Sequence, residues 1–168
     1  MPAQPAGDPR LDPPRDGVRV HVEVTRAPID VGGAHAAVVD PQAGAVGVFS
    51  GVVRNHHDGE VVAGITYEAW EERAPAALEG VAAEVARRHP GVRAVHVVHR
   101  IGALGVGEVS IVCAASAPHR AEALAAVGDL IDLVKERVPI WKREELVDGR
   151  IAWPGADGPE PVVDDQHG

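Results

Sequence analysis

The sequence has little cysteine, little aromatic content and almost no lysine, and it contains no long hydrophobic run. Its 168 residues include a single cysteine, Cys113, which excludes an intramolecular disulfide framework and any multi-thiolate zinc or iron–sulfur site. With one Phe, one Tyr and three Trp, the core must be built mainly from Val, Ala, Leu and Ile. No apolar run approaches the roughly 20 residues that span a bilayer, so we expect no membrane segment.

The formal net charge is −9, and most of it lies toward the ends of the chain. Residues 144–168 are strongly acidic, which leaves the body of the chain nearly neutral. This balance excludes a general nucleic-acid binder, whose surface would be basic, but it permits a local cationic site. The N-terminal stretch lacks the apolar core of a secretory signal, so we expect a cytoplasmic protein.

Composition divides the chain into three parts. Residues 1–17 and 154–168 are rich in proline, glycine and charge, and we expect both to be disordered, the second as an acidic tail. Residues 18–153 are predicted to form one folded domain, which is long enough to bury its own core.

Hydrophobic patterns predict several strands in this domain. Strict alternation over residues 18–24 is typical of a half-buried strand. The β-rich runs 45–53 and 61–70 predict a hairpin with a long polar loop, and residues 92–99 and 108–115 predict two further strands. A last short strand is predicted over 150–153.

Three glycines between the two later strands, Gly102, Gly105 and Gly107, form a GxxGxG pattern. A dinucleotide-binding loop would need a helix next, and the following segment is strand-like. The pattern therefore predicts a turn between strands.

Helical patterns predict a short helix after Asp30, a helix over residues 74–89, and a long helix that begins around Ser116 as N-cap and runs to about Val138. The long helix is predicted to bury one face, made of Leu124, Val127, Ile131 and Val134. Because strands and helices are mixed without regular βαβ alternation, the predicted class is α+β with two main helices.

Lysine usage is the clearest compositional signal. The chain has 14 arginines but only two lysines, Lys135 and Lys142, which lie within eight residues of each other. Arginine cannot give up its proton, whereas lysine can act as a nucleophile or move a proton. Pro139 breaks the helix between the two, so Lys142 can fold back. For Lys135 a surface role near a helix C-terminus remains the alternative.

Other cations belong to separate segments. Arg54 ends a strand, His119 and Arg120 lie in the predicted first turn of the long helix, and Arg143 follows Lys142. A helix N-terminus receives anions readily, although basic side chains there oppose the helix dipole, so a plain capped helix is the alternative. If these groups converge with the lysines, they form a cationic pocket for a small phosphorylated or carboxylated substrate.

The nine histidines do not indicate a metal site. His56 and His57 are adjacent in a loop, and His96 and His99 lie three apart in a strand, on opposite faces. None has further ligands at a suitable spacing, so we expect no bound metal.

Four segments of the chain contain motifs that occur together in one protein family. Residues 49–56 resemble its F-x-G-x-V-R-N-H loop, and residues 99–108 its H-R-I-G…G-E segment. Residues 116–120 are similar to its S-A-H-R segment with one extra proline. Residues 135–144 match its K-x-x-x-P-x-W-K-x-E signature. Together the four segments resemble the MoaE family, the catalytic (large) subunits of molybdopterin synthase.

The resemblance implies an α+β hammerhead fold with a mixed or antiparallel sheet, and a central homodimer. It implies a sulfurtransferase that makes molybdopterin from cyclic pyranopterin monophosphate (precursor Z). Two sulfurs would come from the C-terminal Gly-Gly thiocarboxylate of a ubiquitin-like small subunit. No cofactor is implied, because the sulfur arrives already activated. The alternatives are a homologue that binds the small subunit without catalysis, and an unrelated phosphoester hydrolase.

The resemblance also implies roles for individual residues. Lys135 and Lys142 would be the catalytic pair; our hypothesis makes Lys135 the acid/base and Lys142 the group that orients substrate and thiocarboxylate. The substrate-binding residues would be Val52, Val53, Arg54, His119, Arg120, Arg143 and Glu144. The pocket wall would be Phe49, Ile131 and Trp141. Two positions depart from the family, which often has a basic residue at Val52 and sometimes Met at Ile131.

Overall fold

The computed structural model describes residues 17–154 of the chain. The predicted disorder of the two ends therefore lies almost wholly outside the described residues. Nine strands and three helices follow each other in this part of the chain: β1 Arg19–Thr25, α1 Val31–Val38, β2 Ala45–Val52, β3 His56–His57, β4 Glu60–Ala69, α2 Ala74–Arg88, β5 Ala94–Arg100, β6 Gly102–Gly105, β7 Val109–Ala117, α3 Arg120–Arg137, β8 Ile140–Leu146 and β9 Ile151–Ala152. No helix among them is long and apolar enough to cross a membrane.

The strands form two sheets. The first has the order β1-β5-β7-β2, in which β1 is parallel to β5 and the other pairs are antiparallel. The second has the order β3-β4-β8-β9, with β6 also paired to β4, and it is antiparallel throughout. The predicted α+β class with a mixed sheet and two main helices is confirmed.

The main core lies between one face of the first sheet and the helices α2 and α3. It consists of small aliphatic side chains, as the scarcity of aromatic residues predicts. The short helix α1 covers the opposite face, and it begins where predicted, with the Asp30 carboxylate accepting a hydrogen bond from the Gly33 amide at 2.9 Å. A smaller cluster of buried side chains around Ile65 and Leu104 lies on the second sheet.

The predicted hairpin between residues 45–53 and 61–70 is wrong. β2 pairs with β7 in the first sheet, whereas β4 pairs with β8 in the second. The register shifts between Gly51 and Val52, Val52 still pairs with Val109, and the chain then passes to the second sheet. The tight hairpin joins β3 to β4 through Asp58 and Gly59, which both have positive φ, as a two-residue Asp-Gly turn requires.

The predicted start of the long helix at Ser116 is also wrong. Ser116 is fully buried inside β7, where it pairs with Ala94 of β5 and Val46 of β2. The strand ends only before Pro118, which has no amide hydrogen with which to continue a ladder. The helix α3 begins at Arg120, after His119 as N-cap.

The buried face of α3 differs from the prediction at one position. Leu124 is 61% exposed, whereas Ala123 and Ala126 are buried. Close packing on β2 explains the use of small residues, because a Cβ on Gly47 would lie only 3.2 Å from the carbonyl oxygen of Ala123. Val127 and Val134 are buried as predicted, and Ile131 is partly exposed.

Two of the later strands depart from the prediction. The turn predicted around the three glycines contains the short strand β6, and Gly102 and Gly107 have positive φ. After Pro139 the chain enters β8, a strand for which no pattern was identified. β8 runs antiparallel to β4 and so brings the residues after the helix back across the molecule.

Candidate active site

A cavity of about 480 Å³ lies where the first sheet, the last turns of α3 and the second sheet meet. Its walls come from β2, β4, β5, β7, α3 and β8. Six of the residues predicted for the site line it: Phe49, Val52, Ile131, Lys135, Trp141 and Lys142. The fold therefore brings both lysines of the chain to one cavity.

The two lysines reach the cavity because the helix stops between them. Lys135 lies in the last turn of α3, and Val138 is the C-cap. The chain turns at Pro139 and enters β8, where Lys142 pairs with Tyr67 of β4. This is the reversal predicted from Pro139, and it places the two ammonium groups on different walls of the same cavity.

The two lysines have different surroundings. The Lys142 Nζ lies 3.7 Å from the Oε1 of Glu144, whose side chain is almost fully buried. Lys135 is exposed, and within residues 17–154 it forms no ion pair. One lysine is therefore tethered by a carboxylate, and the other is free to move toward a bound molecule.

Polar groups that sequence reasoning missed form another part of the cavity wall. Tyr67, His99 and Ser110 line it, and the rings of Tyr67 and His99 pack in a T-shaped arrangement at a centroid distance of 5.0 Å. The Ser110 hydroxyl donates to the Gly51 carbonyl at 3.2 Å. The chain's single tyrosine was a usable signal, but its position beside Lys142 depends on the pairing of β4 with β8.

Burial shifts the pKa of both aromatic polar groups in the direction that favours the uncharged form. The pKa of Tyr67 is raised by burial; the hydrogen bond with Ser110 opposes this shift, and the charge of Glu144 adds to it. Burial lowers the pKa of His99 to about 4, despite its hydrogen bond to the Arg100 carbonyl. The cavity thus combines two ammonium groups, neutral polar groups and apolar walls, which suits an anion attached to a flat or apolar body.

The remaining predicted residues lie elsewhere. Val53 is buried in the second sheet's cluster, and Arg54 is exposed just beyond β2. Arg120 lies 15 residues before Lys135 on one helix, which separates the two by about 22 Å along the axis. The predicted cationic groups therefore do not all converge within one chain. They are Arg54, His119, Arg120, Lys135, Lys142 and Arg143.

Arg143 and Glu144 lie on opposite faces of β8. Arg143 points away from the cavity, toward Glu68 at 3.8 Å and Glu145 at 3.7 Å. Glu144 does not line the cavity, but it contacts Lys142, which does. Within the described residues, no three His, Cys, Asp or Glu side chains are grouped closely enough to hold a metal ion.

Comparison with known proteins decides the family. The family model described as "MoaE protein" matches residues 24–137. The chain belongs to the MoaE family. A "Molybdopterin synthase catalytic subunit" from Nostoc sp. (strain PCC 7120 / SAG 25.82 / UTEX 2576) is 42% identical over 130 residues, which are 77% of this chain and 79% of that protein.

Other MoaE relatives extend the comparison. The protein of the same name from Drosophila mojavensis is 38% identical over 124 residues, 74% of this chain, and this chain spans only 34% of its length. The crystal structure of molybdopterin synthase from Staphylococcus aureus superimposes with a TM-score of 0.73 at 34% identity, covering 79% of this chain and 95% of that one. A Helicobacter pylori structure, described as a complex of subunits 1 and 2 of molybdopterin-converting factor, shares the fold at 20% identity and a TM-score of 0.62, covering 82% of this chain and 92% of that one.

Proposed function

We propose that this MoaE protein is the catalytic subunit of a molybdopterin synthase. It converts cyclic pyranopterin monophosphate into molybdopterin and takes two sulfurs from the thiocarboxylate of a small subunit. The observation that carries the proposal is that the only two lysines of the chain line one 480 Å³ cavity. A pterin phosphate has the chemistry this cavity suits, because it joins an anion to a flat ring.

The surroundings of the lysines support different roles. Lys135 forms no ion pair in the described part of the chain, so we assign it the proton transfers that accompany sulfur attack on the pterin side chain. Lys142 is held by Glu144, and we assign it the orientation of the substrate anion and the incoming thiocarboxylate. Phe49 and Trp141 provide apolar wall on which the ring system can lie.

We further propose that the partner is a ubiquitin-like small subunit ending in Gly-Gly. A tail without side chains is thin enough to share a cavity of this size with the substrate. The protein would act as a homodimer in the cytoplasm. A second copy would also account for the predicted phosphate-binding role of His119 and Arg120, which lie too far from the lysines of their own chain.

Reconstitution tests the proposal. The protein, a thiocarboxylated small subunit and precursor Z are combined, and the dithiolene product is measured by mass spectrometry. We expect product from the wild type and a loss of roughly 100-fold or more in Lys135→Ala, the contribution typical of general acid–base catalysis. Arg87→Ala, which removes an exposed cation of α2 outside the cavity, is the matched control and should keep full activity.

Two further outcomes decide between alternatives. If Lys135→Arg keeps full turnover, a positive charge at this position is sufficient, and the acid/base role is wrong. If the wild type gives no product although it forms a complex with an active small subunit, the chain is a binding-only homologue.

A further inference from the structure

The buried carboxylate of Glu144 has a partner on each oxygen. Its Oε1 lies 3.7 Å from Lys142 Nζ, and its Oε2 lies 3.0 Å from His57 Nδ1. The Glu144 side chain is only 5% exposed, so it depends on these protein partners rather than on water. His57 is therefore connected to a lysine of the cavity although it does not line the cavity itself.

The fold holds His57 in place for this contact. β3 and β8 lie on opposite sides of β4, so the hydrogen bond from His57 to Glu144 spans that strand. The hairpin that carries His57 is closed by the Asp58-Gly59 turn and by a hydrogen bond from the Val62 amide to the Asn55 carbonyl at 2.8 Å. The other ring nitrogen of His57 faces the Asp58 carboxylate at 3.3 Å.

We propose that His57 is a positioning residue for Lys142 and acts through Glu144. Its Nδ1–H fixes one carboxylate oxygen, and the other oxygen then holds the ammonium group of Lys142 at the cavity wall. Lys142 is 37% exposed, so without this restraint its flexible side chain turns toward solvent. The catalytic meaning of this arrangement rests on the proposed function, but the positioning itself does not.

Because the chain has only two lysines, the accessibility of each can be measured directly. Acylation by a small amine-reactive reagent, followed by mass spectrometry of peptides, reports on Lys135 and Lys142 separately within one sample. We expect His57→Ala to raise the acylation rate of Lys142 relative to Lys135 by about threefold to tenfold, the effect of losing one hydrogen bond. His57→Leu, which keeps the volume but cannot donate, should give the same change if the alanine variant folds poorly.

Two variants serve as controls. His57→Asn should restore the wild-type ratio, because the asparagine amide can donate to Glu144 in place of Nδ1. His56→Ala removes the neighbouring histidine, which contacts Asn55 at 3.1 Å, and should leave the ratio unchanged. An unchanged ratio in both His57→Ala and His57→Leu would overturn the proposal.

Activity with the thiocarboxylated small subunit supplies a second readout. In His57→Ala we expect kcat to fall by about threefold to tenfold with little change in KM, because a misplaced lysine affects the reaction more than the binding of the substrate. If the acylation ratio changes but the wild type makes no product, the proposed function fails while the positioning stands. If product forms and the ratio does not change, the positioning role of His57 is wrong.

Discussion

Single side chains determine which groups of the cavity carry charge, and His99 shows this most clearly. Its Nδ1–H donates to the Arg100 carbonyl at 2.8 Å, and burial lowers its pKa from 6.5 to about 4. The imidazole is therefore neutral at the pH at which the lysines are expected to bind an anion. A buried group that is neutral in the folded state also makes stability depend on pH.

We expect acid to destabilise the protein through His99. The unfolded chain takes up this proton near pH 6.5, and the folded chain only near pH 4, so the free energy of unfolding falls as the pH drops between these values. At 1.36 kcal/mol per pH unit the loss reaches about 3 kcal/mol. Urea unfolding of the wild type and His99→Gln at several pH values measures this loss. The free energy of unfolding of the variant should depend less steeply on pH.

His96 contributes in the same direction, because burial lowers its pKa as well, with the nearby His21 as a further cause. The free energy of unfolding of His99→Gln should therefore still depend on pH to some extent, and this dependence should decrease again when His96→Gln is added. His35→Gln, an exposed change on α1, is the control. An equal slope in His99→Gln and the wild type would show that His99 is not neutral in the folded protein.

Residue types and motifs predicted part of the cavity. Lysine scarcity singled out Lys135 and Lys142, and the family resemblance added Phe49, Ile131 and Trp141, all of which line it. Tyr67 and His99 were missed as parts of the cavity wall, and His57 was missed as a contact of Glu144. Their relation to the lysines arises from strand pairing between distant segments, which residue types alone do not specify.

Elements with strong internal periodicity were predicted to within about two residues. Alternation located β1, and the 3.6-residue period located α2, because both patterns depend on one segment packing on one surface. The hairpin prediction failed because neighbours along the chain, β2 and β4, belong to different sheets. Ser116 has the residue type of a helix cap, but the buried strand β7 determines its conformation.

The packing of α3 gives a prediction at the scale of the element. Leu130 is fully buried in the main core, whereas Leu124 is 61% exposed. We expect Leu130→Ala to lower the free energy of unfolding by about 2–5 kcal/mol, because it leaves a cavity in the core. Leu124→Ala should change it by less than about 0.5 kcal/mol. Urea unfolding of both variants measures the difference, and similar losses would mean that α3 is rotated relative to the orientation described.

The molecule as a whole places a cationic cavity in an acidic protein. The chain carries a net charge of −9, yet its two lysines both face the same cavity, and much of the acid lies after residue 143. We predict that residues 17–154 fold and form the cavity on their own.

A shortened chain tests the predicted domain limits. We expect the free energy of unfolding of residues 17–154 alone to lie within about 0.5 kcal/mol of that of the full chain. Removal of the two ends leaves the contacts among residues 17–154 intact. The measurement is urea unfolding of both chains, together with product formation in the reconstituted reaction. A loss of several kcal/mol would show that an end packs on the domain. Tighter binding of the small subunit by the shortened chain would show that the acidic tail competes with the tail of that partner, and unchanged binding would show that it does not.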